Sequence, residues 1–487
     1  MECHESDQTA ANHWETDCGQ VRGVGTAEAG RRTASAVGRR AFLRGGTLSA
    51  SALWASGLWG ATGPKAGEAP AVSGNNDVST FLESDNPDVM RLAQDVFREC
   101  VLDKLRPPEG MLKHTWVAAG GGFYGQWIWD PMFVVDLLSL LPGMERNIRD
   151  MFQNYWDAQV GWDAGHPPFM HGMVYNRIHP NTGGCVFSQI PILAWGMERV
   201  YQRNGDKVLL QQGLAPLERF HDWYWRERDV TGIGLIAVGS YDGITQNARF
   251  ETFDNECNLD TLKMTRHPTR TGPGEGKWYG DICATGNTAY LVMAERSLAR
   301  LAEALGDAEM AARRKARIEK AVSAMRTHMW DEAAGTFLSV NRDTLERIPV
   351  ATIGSWMPLM AEIPTAAMAA RMAETLQGDH WDTPLPLPTV DRTDKRWKSD
   401  AYWRGDVWPA PNYQIAKGLA LYGHREAAAR IADKTVANAI KNGISEHYDA
   451  LSGKSLGVRF LGMSCTLVTL MLDGLCKKYS LRLNAKT

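Results

Sequence analysis

The sequence has no C-x-x-C pair and no other cysteine spacing that would clasp a metal, although its 487 residues include eight cysteines. Cys3 and Cys18 stand near the start. Cys100, Cys185, Cys257, Cys283, Cys465 and Cys476 are scattered through the body, so they read as small core residues and neither a metal nor another cofactor is expected. Positive charge is also short: the formal net charge is −3 and the isoelectric point is near 6.5. With Lys and Arg dispersed instead of striped, the chain has no basic surface for neutralising phosphates, which excludes nucleic acid as a partner. Strand signals are sparse, limited to pieces such as "GLIAV" and "GTFLSV". There is no tandem repeat.

A long apolar run is missing too. The most apolar stretch near the start, "TLSASALWASGLWGATG", is short and follows "GRRAFLRGG", Gly38 to Gly46. An Ala/Gly/Pro/Glu-rich segment closes the region. The order basic, short apolar, small-residue is that of an export signal and not of a spanning helix, so no stable membrane anchor is expected. Arg39-Arg40 followed by Ala41-Phe42-Leu43 resembles a twin-arginine signal, whose receptor exports folded proteins. The leader ahead of Arg39 is long for such a signal, which leaves a later start codon open. The expected organisation is a leader, signal and linker over residues 1–77 and one domain over 78–487, working in the periplasm or outside the cell. Folding before export removes the need for a disulfide framework.

What the chain has in excess is tryptophan, 18 residues. Large helical cores absorb some of these, and flat rings with an N–H handle also suit surfaces that grip sugar faces. From about Asn86 onward apolar residues recur at helical spacing. "NPDVMRLAQDVFRECVLDKL" lines up Val89, Leu92, Val96, Cys100 and Leu105. "GNTAYLVMAERSLARLAEALGD" lines up Tyr290, Met293, Ala294, Leu298, Leu301 and Leu305 and stops at Gly306. Comparable segments near 187–204, 207–228, 307–330, 364–376, 410–422, 424–442 and 462–479 predict an all-α toroid of alternating inner and outer helices. Long connections over 107–132, 159–186, 239–282, 379–408 and 443–461 are where function is expected, because long loops in compact domains are usually functional.

Four segments carry candidate chemistry. In "YGQWIWDPMF", Trp127 and Trp129 with Gln126 and Asp130 form a sugar-clamping edge, while Asp130 and Pro131 also read as the cap and first residue of a helix. In "AYWRGDVWPAPNYQIAKGL", Arg404 offers a planar fork to hydroxyls and Asp406 either accepts from substrate or pairs with Arg404. In "GISEHYDALSGKSLG", Glu446 is displayed beside His447, Tyr448 and a Gly-rich turn, as a general base that activates water or as a solvated loop carboxylate. In "SYDGITQNARFETFDNECNLD", Asp242, Glu251, Asp254, Glu256 and Asp260 surround Arg249, the densest source of a second, protonated carboxyl group.

Together these segments resemble the six-fold α/α-barrel hydrolases of glycoside hydrolase family 63, the related trehalases and bacterial mannosylglycerate-type hydrolases, over about residues 107–475. The resemblance implies an (α/α)6 barrel and an inverting glycosidase acting on a small or terminal saccharide, with Glu446 as general base. It implies that Trp127, Trp129, Asp130, Phe133, Gln189, Trp195, Arg249, Trp403, Arg404, Trp408, Asn412 and Tyr448 line or approach the pocket. The chain departs from the family pattern twice. Asp406 stands where the family has proline after Arg-Gly, adding a carboxylate at the pocket edge. Thr245 falls where the family's acid pattern has aspartate, so the acid is Asp254, with one residue deleted, or Asp242, or Asp406 from the opposite wall, or is absent. A sugar-binding barrel without catalysis, and a toroid lyase using His447 and Tyr448, are the competing readings.

Asp254→Asn and Asp242→Asn, assayed for reducing sugar released from disaccharides and glycosylglycerates, separate these candidates. One of them is expected to lose activity about as completely as Glu446→Gln. If both retain it, neither supplies the acid.

Overall fold

The computed structural model describes residues 77–484 apart from 163–165, 167, 185–187, 241–262 and 267–277. Eleven α-helices form the framework of the described chain: α1 (Pro87–Asp95), α2 (Trp129–Leu138), α3 (Glu145–Ala158), α4 (Leu193–Asn204), α5 (Lys207–Arg228), α6 (Thr285–Ala304), α7 (Ala308–Ala324), α8 (Ala366–Thr375), α9 (Pro409–Leu421), α10 (Arg425–Asn442) and α11 (Thr466–Leu472). Two 3-10 helices, Ile353–Leu359 and Gly462–Cys465, complete the set that matters for the site.

Composition sorts these elements into two layers. All ten residues of α2 are buried, as are all seven of Ile353–Leu359, and α6 and α9 are buried over most of their length. Helices apolar on every side belong inside. By contrast α3 buries Ile148, Met151, Phe152, Asn154 and Tyr155, a single stripe at helical spacing. Likewise α7 buries Met310, Ala311, Arg314, Ile318 and Ala321 and turns most of its charges outward. The inner elements touch in a closed circuit: α2 on α4, α4 on α6, α6 on Ile353–Leu359, that helix on α9, α9 on Gly462–Cys465, and the last back on α2. This is a six-fold α/α barrel, as the helical periodicity and the resemblance imply. The stretch Val89 to Leu105 is not one helix: α1 gives way to a π-helical turn over Val96–Val101 and a 3-10 turn, all packed inward.

Topology then fixes where a site can be. Inner-to-outer connections are short, such as Gly205–Asp206 between α4 and α5 and Leu305–Asp307 between α6 and α7. Outer-to-inner connections are long, and each of the five predicted functional loops precedes an inner element. The long loops therefore gather at the N-terminal ends of the inner helices and form the mouth of the barrel. Gly205, at φ 69°, closes α4 in the left-handed conformation that glycine adopts without steric cost.

At the closed end lies a buried ion cluster. Asp136 of α2, 1% exposed, receives both nitrogens of a fork from Arg199 (3.2 and 3.1 Å) and from Arg203 (2.5 and 3.2 Å) of α4. Arg199 also reaches Asp473 at 3.0 Å, and Asp473 accepts from Tyr413 (3.1 Å) and Lys417 (2.9 Å) of α9. Burial alone would raise the Asp473 carboxyl, but Arg199 and Lys417 outweigh it and hold it below the usual range. A second cluster ties α5, α6 and α7. Glu295, fully buried, accepts from Trp225 at 2.6 Å and lies 3.2 Å from His221 and 3.6 Å from Arg314.

Asp136→Ala leaves two guanidinium groups without their buried partner. The expected loss is about 3–5 kcal/mol of unfolding free energy by urea titration, with α2 and α4 the first helices to lose amide-exchange protection.

Candidate active site

The mouth is built around Glu446. It lies in β1 (Ser445–Tyr448), which pairs antiparallel with β2 (Ser455–Arg459), and the pairing register shifts between Ser445 and His447. That irregularity falls at Glu446, a common device for re-aiming one side chain. Glu446 is only 3% exposed. Its Oε1 accepts from the Tyr402 hydroxyl at 3.1 Å and its Oε2 from the Val458 amide at 2.9 Å. Burial raises its pKa, and although His447 and the two donors pull the other way, the net shift is upward. A raised carboxylate is a stronger base for water, the adjustment a hydrolytic base needs.

Near enough to feel its charge stands Asp130, inside the first turn of α2. Burial, and then the negative charge of Glu446, push its carboxyl up to about 7. Two carboxyl groups close enough to oppose each other's ionisation titrate as a pair, one tending to keep its proton. Asp130 does not cap its helix: it stands inside the first turn, and no side-chain capping bond is made at Ile128, the residue before α2. The amides of Ile128 and Trp129 both donate to Gln189 Oε1, at 3.1 and 3.0 Å. Gln189 therefore steadies the turn that presents Asp130, relieving the Asp130 carboxyl of a capping role.

Aromatic rings fill the rest of the mouth. Trp127 is nearly buried under Arg177, whose guanidinium carbon lies 5.3 Å from the ring centre. Trp129 meets Phe133 edge-on at 5.2 Å, and Phe133 packs on Trp195 one layer deeper. Trp129 also lines a narrow cavity with Gly286, Tyr290, Ile353, Gly354, Met357 and Pro411, where the opening turns of four inner elements converge. Trp403 and Trp408 stack at 4.1 Å and 6°, and His447 continues the column at 4.7 Å from Trp408. Arg404 is half-buried in the turn Tyr402–Arg404.

Other expected residues make hydrogen bonds within the protein. Asn412, fully buried, donates to Pro386 O and Thr435 Oγ1, fastening α9 to α10 and to the preceding loop. Tyr448 donates to Gly443 O and accepts from the Ser445 amide. Asp406 is fully buried: its Oδ2 accepts from the Tyr402 amide at 2.7 Å and lies 3.0 Å from His447 Nδ1, where the sequence offered substrate or Arg404 as its partner. Asp242, Thr245, Arg249 and Asp254 lie outside the described residues. Tyr402, which the sequence reading did not single out as a site residue, donates to Glu446. Its position in the motif was visible, but its 44-residue reach to Glu446 was not. Among the described residues no group of three or more His, Cys, Asp or Glu is arranged to hold a metal ion. Cys100, Cys283, Cys465 and Cys476 are free thiols.

Residues 123–464, more than half of the chain, match the family described as "Mannosylglycerate hydrolase MGH1-like glycoside hydrolase domain". The chain belongs to this family. It is 26% identical over 391 residues to mannosylglycerate hydrolase MGH1 of Selaginella moellendorffii, spanning 70% of this chain and 78% of the relative. It is 29% identical over 362 residues to the mannosylglycerate hydrolase of Rubrobacter radiotolerans, spanning 66% and 79%. Among solved structures, a GH63 mannosylglycerate hydrolase from Thermus thermophilus in complex with glucose matches with TM-score 0.60 and 22% identity, covering 77% of this chain and 98% of that one. Neutral trehalase Nth1 from Saccharomyces cerevisiae matches with TM-score 0.52 and 16% identity, covering 73% of each chain. These structural likenesses bear on the fold, and the family match makes the protein a glycosidase.

For this MGH1-like glycosidase the lyase reading loses its support. His447 and Tyr448 are neighbours in a strand, yet one faces Asp406 and Trp408 while the other is tied to Gly443 and Ser445.

The pKa directions give a signed test. A base must be ionised to take a proton, so with Glu446 in that role kcat/KM is expected to fall as pH drops through its raised pKa. Asp130→Asn removes the neighbouring negative charge, and the acid limb is expected to move to lower pH. Tyr402→Phe removes a donor that favours the carboxylate, so the limb moves to higher pH, with kcat down roughly tenfold or more. A rate–pH profile of the three proteins measures both shifts.

Proposed function

We propose that the protein is an exported glycoside hydrolase that cleaves a hexose from a small partner such as glycerate with inversion at the anomeric carbon. The observation carrying this reading is Glu446, a buried carboxylate with a raised pKa held by a phenol and a backbone amide, whose charge is felt by a second carboxyl group, Asp130. Glu446 removes a proton from water, and the resulting hydroxide attacks the anomeric carbon on the face opposite the leaving oxygen. A protonated carboxyl group on the other side gives its proton to that oxygen as the glycosidic bond breaks. Asp254 or Asp242 fills that acid role. Inversion requires roughly 6.5–9.5 Å between the base and acid carboxyl groups, which leaves room for the water.

Asp130, half-protonated near neutral pH, accepts from or donates to a ring hydroxyl, and Trp127 and Trp129 offer faces to the sugar. Trp403, Trp408 and Arg404 complete the wall. Gln189, Phe133, Asn412, Asp406 and Tyr448 support these groups from behind. The names of the relatives and the aligned helix N-termini at the mouth favour a substrate carrying a carboxylate, since helix N-termini stabilise anions. Export rests on Arg39-Arg40 and gains support from relatives named as periplasmic trehalases, such as that of Salmonella paratyphi C at 22% identity over 415 residues. No helix among the described residues is long and apolar enough to cross a membrane.

Proton NMR of the first sugar released from mannosylglycerate, glucosylglycerate and trehalose tests the reading. The expected product is the anomer opposite to the substrate linkage, and Glu446→Gln is expected to lower kcat by roughly 10²–10⁴-fold. Retention of configuration, or an active Glu446→Gln enzyme, would sink the assignment. Saccharide binding without turnover would leave a barrel that has kept its pocket and lost its chemistry.

A further inference from the structure

Asp406 occupies the position where the family pattern has proline, and it is fully buried. A buried carboxylate without partners is costly, so its contacts show what it is for. Oδ2 accepts from the Tyr402 amide at 2.7 Å, and Oδ1 accepts from the Ala401 amide at 3.4 Å. Oδ2 also lies 3.0 Å from His447 Nδ1, a contact too far off line to count as a hydrogen bond. The main chain of Asp406 donates to Tyr402 O and accepts from the Thr389 amide. A proline there could make none of the side-chain contacts and could not donate from its nitrogen.

Those contacts converge on Glu446 by two routes. The first runs through Tyr402. Asp400 and Tyr402 both have positive φ, 54° and 58°, a conformation that non-glycine residues hold only when the surroundings enforce it. The Asp406 carboxylate enforces it by gripping the Tyr402 amide, and the phenol at the other end of that residue donates to Glu446 Oε1. The second runs through His447, next to Glu446 in β1. Its ring lies with Nδ1 3.0 Å from Asp406 Oδ2, stacks on Trp408, and is met edge-on by Tyr402 at 5.2 Å. On its other side passes Gly457, φ 65°, where a Cβ would lie 2.6 Å from both His447 Nε2 and Glu446 Oε2. The next residue, Val458, supplies the amide that binds Glu446 Oε2.

We infer that Asp406 and His447 act together as a positioning pair that fixes both oxygens of Glu446, in place of the proline-stiffened turn of the family pattern. Asp406 thereby does not contact sugar. This inference rests on Glu446 being the base, and the test separates the two claims.

Asp406→Asn and His447→Gln, singly and together, are compared with wild type and Glu446→Gln by steady-state kinetics, thermal melting and crystallography. Each single variant is expected to lower kcat roughly 10–100-fold with KM changed less than about threefold. The double variant should be no slower than the worse single one, because residues acting as a unit are non-additive. In the Asp406→Asn crystal structure the Tyr402 hydroxyl should have left hydrogen-bonding range of Glu446. Equal falls in melting temperature and kcat that multiply in the double variant would mean a merely structural pair and overturn the inference. An undisturbed Tyr402–Glu446 contact in Asp406→Asn overturns it as well, even if no glycoside is turned over. An inactive wild type with the contact broken in the variant leaves the pair standing and overturns only the assignment of Glu446 as base.

Discussion

The barrel depends on keeping six inner elements, buried on nearly every side, in one rotational setting. Apolar packing alone is weakly specific about rotation, since a helix that is greasy all round can turn without exposing anything. Asp136 removes that freedom. One carboxylate with both oxygens forked by two arginines of the neighbouring helix fixes α2 against α4, and Arg199 carries the restraint on to Asp473 and α9. The guanidinium groups also sit toward the C-terminal ends of inner helices, where the helix dipole favours positive charge. Once that end is pinned, the N-terminal ends are fixed to within a side-chain contact, and Trp129, Asp130 and Trp408 inherit their positions from it.

The two ends thus divide the work. Short turns and paired charge make the closed end dense, whereas the mouth is assembled from long connections tied together by specific side-chain hydrogen bonds. Gln189 serves the start of α2, Asn412 binds its loop to α10, and Tyr448 closes its own hairpin. Each removes a local degree of freedom around Glu446 or Asp130. Pre-organisation of this kind lets a buried carboxylate act without first rearranging its surroundings.

Much of this was legible in the sequence, for physical reasons that particular residues show. Helical periodicity marked α4 to α7 and α8 to α10 because burial of one or more faces writes itself at 3.6-residue spacing. The long loops marked the mouth because only outer-to-inner connections are long. Ile353–Leu359 was not visible as an inner element: seven residues with Pro358 inside give too little period to register. Asp406 stood out as a departure, but its partner His447 lies in a distant segment of the chain and nothing local points to it. Asn412 and Tyr448 stand in the motifs, yet a motif does not say whether a side chain faces substrate or scaffold. Only the fold distinguishes those.

One further feature concerns the two ends of the described chain. Leu82–Glu83 pairs with Arg482–Leu483, bringing them side by side. Because α1 runs toward the mouth and α11 away from it, this small ladder sits on the closed side. A tether or a solid support joined beside either of these two strands therefore attaches on the side away from the opening. The enzyme is built so that it can be held by its back.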